Sequence, residues 1–154
     1  MIELYSFKKI GNHIERKNYI TFLSIADEKE VVVSYLNKGD LFELTHQKET
    51  VAVALCMVEK DFIEIKNIAV IPSYQGQGVG KYFLTMLEHF YKDKGAEYMH
   101  VGTANSSISN LAFYQRAGYR MREIRKGFFE NYPNEIFENG IKAMDLIMFH
   151  KTLD

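Results

Sequence analysis

The sequence predicts one α/β (α+β) domain over residues 1–154, a mixed sheet flanked by helices. Three observations carry this. The apolar pattern switches between period two and period 3.6 and reads β-α-α-β-β-β-α-β-α-β-β along the chain. An apolar strand at 62–70 runs through a glycine-rich turn into an amphipathic helix. And 154 residues, 47% of them hydrophobic, suffice for one core, with no repeat, low-complexity tract or linker to divide them.

The elements follow in order. Residues 1–7 alternate as a first strand, with Ile2, Leu4 and Ser6 on one face. Over 14–25 apolar residues fall at helical spacing. Asp27-Glu28-Lys29-Glu30 reads as a capping box, in which Asp27 accepts from the N–H three residues on and Glu30 reaches back. The helix it opens runs to Leu36, and Gly39 suits a left-handed end. Strands at 41–46 and 51–58 form a hairpin about the polar turn 47–50. A second turn at 59–61 leads into the strand holding Phe62, Ile63, Ile65, Ile68 and Val70. The next helix spans 78–93, with Val79, Phe83, Met86, Leu87 and Phe90 on one face, and Lys94-Gly95 ends it. A strand at 98–103 precedes Asn105-Ser106-Ser107, whose side chains suit the N-cap of a helix through Ala117 that Gly118 terminates. The last two strands, 119–124 and 142–150, are joined by an aromatic-rich connection at 127–140. A connection that long is functional or carries a short helix.

Composition excludes several function classes. The formal net charge is −1 and Lys and Arg are scattered, so no basic stripe points to a nucleic-acid partner. The single cysteine, Cys56, rules out an internal disulfide and lies in an apolar run, which suits a buried small hydrophobe. His13, His46, His89, His100 and His150 stand at unrelated spacings, and no His/Asp/Glu set has metal-ligand spacing, so no metal is expected. No signal-peptide pattern opens the chain and no apolar run reaches membrane-span length, so a cytoplasmic protein with no membrane partner is expected.

The glycine-rich turn carries the chemistry. Gly76, Gly78 and Gly80 free backbone amides at a helix start, where the helix dipole also favours an anion. A Walker loop would need glycine at Gln75 and Ser or Thr at Tyr82, and a dinucleotide fingerprint would need glycine at Lys81 or Phe83. Neither fits. The pattern that matches is Q/R-x-x-G-x-G/A, Gln75-Gly76-Gln77-Gly78-Val79-Gly80, after Asn67-Ile68-Ala69-Val70 and Pro72. With Phe113-Tyr114-Gln115-Arg116-Ala117-Gly118-Tyr119 further on, it resembles the coenzyme A loop and the F/L-Y-x-x-x-G-F segment of the GNAT family of N-acetyltransferases, over roughly residues 61–120.

The resemblance implies a mostly antiparallel central sheet and an acetyl-CoA-dependent enzyme that moves an acetyl group to a primary amine by direct attack on the thioester. Gln75, Gly76, Gln77, Gly78, Val79, Gly80 and Lys81 would hold the pyrophosphate, and a strand splayed at Ile68, Ala69 and Val70 would bind pantetheine. Tyr114 would be the general acid, a phenol suited to protonating a leaving thiolate, with Phe113 packing beside it. Glu64 is one candidate general base; Glu59, Asp61, Glu135, Glu138 or a water chain are others. Where the family often has Asn seven residues before the tyrosine, this chain has Ser107, leaving Asn105 and Asn110 as cofactor contacts or as caps and surface residues. Aromatics and carboxylates alternate over 128–140, which would border the acceptor pocket and suit a cationic amine. The acceptor class stays open between a polyamine, an aminoglycoside-like amine, an amino acid and a protein amine, and the resemblance is compatible with a homodimer. The competing readings are a non-catalytic acyl-CoA-binding sensor module and a kinase-like nucleotide enzyme, the latter opposed by Tyr82 after Lys81.

Overall fold

The third strand, Glu49–Val58 (β3), shows how the core is set. It is apolar without alternation over Val51 to Cys56 because both of its faces are covered. Ala54 and Cys56 pack with Phe83, Leu87, Val101 and Phe149 on one side of the sheet. Val53 and Leu55 pack with Leu23, Val32 and Leu41 on the other. The computed structural model describes residues 4–12 and 14–154.

Around β3 lie β1 (Ser6–Lys9), β2 (Asp40–His46), β4 (Ile63–Val70), β5 (Tyr98–Ala104), β6 (Arg120–Arg125) and, after the two-residue hairpin strands β7 (Phe137–Glu138) and β8 (Ile141–Lys142), β9 (Leu146–Thr152). They form a seven-stranded sheet in the order β1-β2-β3-β4-β5-β9-β6. Every pairing in it is antiparallel except β4 with β5. Among the described residues four α-helices complete the fold: α1 (Ile20–Leu23), α2 (Lys29–Tyr35), α3 (Val79–Asp93) and α4 (Ile108–Arg116). The mixed, mostly antiparallel sheet flanked by helices is the architecture expected from the sequence.

Several local expectations are corrected. The strand expected at 1–7 runs from Ser6 to Lys9, and residues 1–3, like His13, lie outside the described ones. The helix expected over 14–25 is a 3-10 turn, Arg16–Tyr19, followed by the single turn of α1. Arg16 is spent on the end of α2: its guanidinium donates to the carbonyls of Leu36, Lys38 and Gly39. The capping box at 27–30 does not form. The N-cap of α2 is Glu28, with no side-chain cap bond, because Asp27 instead accepts from the Glu28 N–H and from the hydroxyls of Tyr35 and Tyr132. The side chains at 105–107 do not cap α4 either. The last strand begins at Leu146 rather than at 142, because residues 137–142 fold back as the β7–β8 hairpin.

On α3 the buried stripe is Val79, Phe83, Leu84, Leu87, Glu88 and Tyr91, while Met86 and Phe90 are half-buried. The stripe is rotated from the expected one because a carboxylate is accepted inside. Glu88 receives the Tyr119 hydroxyl at 2.8 Å and the Lys151 ammonium at 3.0 Å, so its burial is compensated. Cys56 is buried and unbridged, and burial holds its thiol protonated well above the ordinary range.

Candidate active site

The site forms where β4 and β5 part. Their parallel pairing covers only Ile63 to Ile65 against Met99 to Val101, yet β4 continues to Val70 and β5 to Ala104. The splay that the sequence pattern only suggested by resemblance is thus present. On its other side β4 is paired to β3 along its length, with one irregularity: Leu55 faces Asn67 and Cys56 faces Ile65, so Lys66 is an extra residue. This bulge turns Lys66 and Asn67 to the same side. The Lys66 ammonium lies 5.5 Å from the centroid of the Tyr35 ring, and Asn67 donates to the Tyr35 hydroxyl at 2.9 Å. Ile68 and Val70 then point to the opposite side, against the α3–α4 core.

At the end of β4, Pro72–Tyr74 makes a 3-10 turn and the glycine-rich loop begins. Gln75 donates to the Val70 carbonyl at 2.8 Å and Gln77 to that of Ser73 at 2.9 Å, so both side chains brace the loop. Gly76 (φ +74°) and Gly78 (φ +82°) are left-handed, and Gly78 is the N-cap of α3. A Cβ at either would reach open space, with nothing within 4 Å. The first internal bond of α3 runs from the Tyr82 N–H to the Gly78 carbonyl, so the amides of Val79, Gly80 and Lys81 precede it. Gly80 faces the other way. A Cβ there would sit 3.7 Å from the Phe113 ring and 3.8 Å from Val70. Ala69, in β4 just ahead of the loop, is buried.

A cavity of about 900 Å³ opens from the β4–β5 gap, and Glu64, Ile68, Asn110 and Tyr114 line it together. Tyr114 is 4% exposed, ringed by Phe113, Tyr119 and Phe149 at centroid distances of 5.1, 5.8 and 5.9 Å. Burial pushes its phenol well above the ordinary value near 10, so it stays protonated at any physiological pH. Ser107, in the position where Asn was expected by resemblance, also lines the cavity and with Ser106 donates to Glu138. Asn105 is engaged elsewhere. Its Oδ1 accepts from the Met144 and Asp145 N–H groups at 2.8 and 3.0 Å, and its Nδ2 donates to the Lys142 carbonyl. It clamps the chain ahead of β9 to the end of β5.

The aromatic connection forms a further wall. Phe128, Phe129 and Tyr132, on and just after a 3-10 turn, pack edge-on or tilted with ring centroids 4.8–6.0 Å apart and line the cavity. The Tyr132 hydroxyl donates to Asp27 at 3.1 Å and ties this wall to the start of α2. Glu135 and Glu138 line the cavity as well, whereas Glu59 and Asp61 lie at a separate groove near the far end of β4. Sequence reasoning missed Asp27, Asn67 and Ser24 as cavity residues. The one available signal was Asn67, a polar residue inside an apolar strand. Among the described residues no group of three or more His, Cys, Asp or Glu side chains converges as a metal site, and no helix is long and apolar enough to cross a membrane.

Residues 4–119 match the model of the acetyltransferase (GNAT) family. YvbK of Bacillus subtilis (strain 168), described as an uncharacterized N-acetyltransferase, is 33% identical over 147 residues, 94% of this chain and 95% of that one. A GNAT family acetyltransferase from Elizabethkingia anophelis, solved with acetyl-CoA bound, superposes with a TM-score of 0.89 at 33% identity over 97% of this chain and 98% of its own. The ribosomal protein bS18-alanine N-acetyltransferase of Haemophilus influenzae is 28% identical over 108 residues, 68% of this chain and 73% of that protein. A match of this extent, joined to the parted strands and the loop that follows them, establishes that the chain belongs to the GNAT family of acetyltransferases.

Proposed function

We propose that this chain is a single-domain, acetyl-CoA-dependent N-acetyltransferase that acts on a primary amine, with Tyr114 as general acid and Glu64 as general base. The observation that carries the reading is the cavity at the β4–β5 gap, which brings a buried phenol, a carboxylate and the unpaired stretch of β4 to one space. The fit for the cofactor rests on the loop: Gly76 and Gly78 are left-handed, a Cβ on either would meet only open space, and the first amides of α3 follow directly. In the proposed site Val79, Gly80 and Lys81 hold the pyrophosphate, Gln75 and Gln77 brace the loop, and Ile68 and Val70 present the strand to pantetheine. Phe113 and Ala69 support these contacts by packing. Asn110 lines the gap as a polar contact. Acetyl-CoA supplies the activated acyl group.

This chain's own residues then move protons and exclude water. Glu64 takes a proton from the ammonium of the acceptor, freeing the lone pair that attacks the thioester carbonyl. Tyr114, kept protonated by burial, gives its proton to the leaving thiolate. The rings of Phe128, Phe129 and Tyr132 shield the reacting groups from solvent.

The test is Tyr114→Phe together with Glu64→Gln, assayed by thiol release over an amine panel and by acetyl-CoA calorimetry. Each variant is expected to keep acetyl-CoA affinity and to lose about 10²- to 10⁴-fold in kcat, the usual worth of a positioned acid or base. A Tyr114→Phe protein with unchanged kcat would remove the acid role from Tyr114, and acetyl-CoA binding by the parent with no thiol release from any amine would favour the sensor module instead.

A further inference from the structure

The cavity carries more negative charge than the transfer of one acetyl group calls for. Six carboxylates line it, Asp27, Glu28, Glu30, Glu64, Glu135 and Glu138, against the ammonium groups of Lys29 and Lys66. Neutral donors orient two of these carboxylates without cancelling their charge: Asp27 is held by tyrosine hydroxyls, and Glu138 by those of Ser106 and Ser107. Glu135 has Lys142 at 3.3 Å, and among the described residues Glu28 has only the Asn134 amide, at 3.5 Å.

A second observation is independent of charge. Asn67 is 5% exposed and lines the same cavity. Its Nδ2 is committed to the Leu23 carbonyl at 2.8 Å and to the Tyr35 hydroxyl at 2.9 Å, which fixes the amide orientation. Its Oδ1 is buried with no hydrogen-bond partner among the described residues. The hydroxyl of Ser24, the residue after Leu23 and another cavity residue, is buried and unpartnered too. Two unanswered oxygens among surplus carboxylates call for N–H donors. The aromatic wall of Phe128, Phe129 and Tyr132 offers π faces and an apolar surface for an alkyl chain.

We propose that the acceptor is a small alkyl amine with two cationic groups, one delivered to the thioester and the other held by the carboxylate rim, where Glu28, Glu30 and Glu135 stand. Ser24 and Asn67 take N–H groups of the bound amine. The proposal rests on the reading of this site as that of an amine acetyltransferase. The transfer balances: one ammonium proton goes to Glu64, the nitrogen–acetyl bond forms as the carbon–sulfur bond breaks, Tyr114 protonates the thiolate, and the second proton shed by the acylated nitrogen restores the Tyr114 phenol while Glu64 releases its own to solvent. The second ammonium is unchanged.

The test compares three probes of similar reach in the thiol-release assay: 1,4-diaminobutane, butylamine, and a short peptide with a free N-terminal alanine. The diamine is expected to exceed butylamine at least 30-fold in kcat/KM, with the advantage shrinking at high salt. Ser24→Ala and the exposed Glu30→Gln are each expected to lower that ratio at least fivefold through KM, with acetyl-CoA affinity unchanged by calorimetry. Equal efficiency with both amines overturns the two-charge subsite and leaves acetyl transfer standing, as does preference for the peptide. Acetyl-CoA binding with no turnover of any probe overturns both.

Discussion

Gly78→Ala separates the two roles of the glycine loop. Gly78 sits at φ +82° as the N-cap of α3, and a Cβ there meets nothing within 4 Å. The cost to folding is therefore conformational only, about 1–2 kcal/mol for an L side chain in the left-handed region. Against a typical stability of about 5–15 kcal/mol the variant stays folded. The methyl group enters open space on the loop that leads into the Val79, Gly80 and Lys81 amides. If the cofactor's phosphates sit there, at least one charge-assisted hydrogen bond is lost, about 1.5–3 kcal/mol. That corresponds to roughly a 10- to 100-fold weaker acetyl-CoA affinity. Gly80→Ala is the control for strain: its φ is ordinary for a helix and its Cβ makes van der Waals contact with Phe113 and Val70, so no folding cost is expected. Calorimetry with acetyl-CoA, beside thermal melts, reads both quantities. A Gly78→Ala protein that melts lower but binds acetyl-CoA within twofold of the parent would refute the cradle and leave the glycine a mere turn residue.

Three further outcomes are expected. Asn105→Ala leaves the Met144 and Asp145 N–H groups without their acceptor and should cost about 2–3 kcal/mol by urea denaturation; unchanged acetyl-CoA affinity would show the side chain to be a clamp, and a lost affinity would restore it as a cofactor contact. Tyr119→Phe removes the donor to Glu88 inside the core and should cost about 1–3 kcal/mol, with kcat little affected. Stability should fall as pH rises above about 10: burial first, and nearby carboxylates at Tyr35, Tyr91 and Tyr119, raise the folded phenols of Tyr35, Tyr91, Tyr114 and Tyr119 above their unfolded value of 10.0. Their contribution is complete below the unfolded value and is lost as pH climbs through the folded ones, so a urea midpoint unchanged between pH 8 and pH 11 would contradict the burial of these hydroxyls.

How much was legible in the sequence follows from the range of each interaction. Strand and helix order, the 78–93 helix and the loop were readable because period, glycine placement and motif spacing are local. Asp27 misled because its sequence neighbours satisfy a capping rule, while its actual partners, Tyr35 and Tyr132, are 8 and 105 residues away. Glu88 misled for the same reason: a helix wheel assigns carboxylates to water, and only the fold reveals Tyr119 and Lys151 waiting inside. His100 and His150, isolated in sequence, are direct cross-strand partners of β5 and β9.

The site itself turns on the least legible feature, the extra residue in β4. Strict alternation from Ile63 would send Ile65, Asn67 and Ala69 to one face and Lys66, Ile68 and Val70 to the other. An amide would then enter the apolar α3–α4 core beside Phe83 and Leu87, and Ile68 would leave the Tyr114 side of the sheet. With Lys66 bulged, the parity changes within one residue. Ile63 and Ile65 remain in the α3–α4 core, Asn67 reaches Leu23 and Tyr35 on the opposite side, and Ile68 and Val70 return to the core face next to Phe113. The bulge lies just where pairing to β5 stops after Ile65. One inserted residue thus coincides with the end of pairing to β5, turns Ile68 back to the core face, and delivers the lone buried amide of β4 to the cavity.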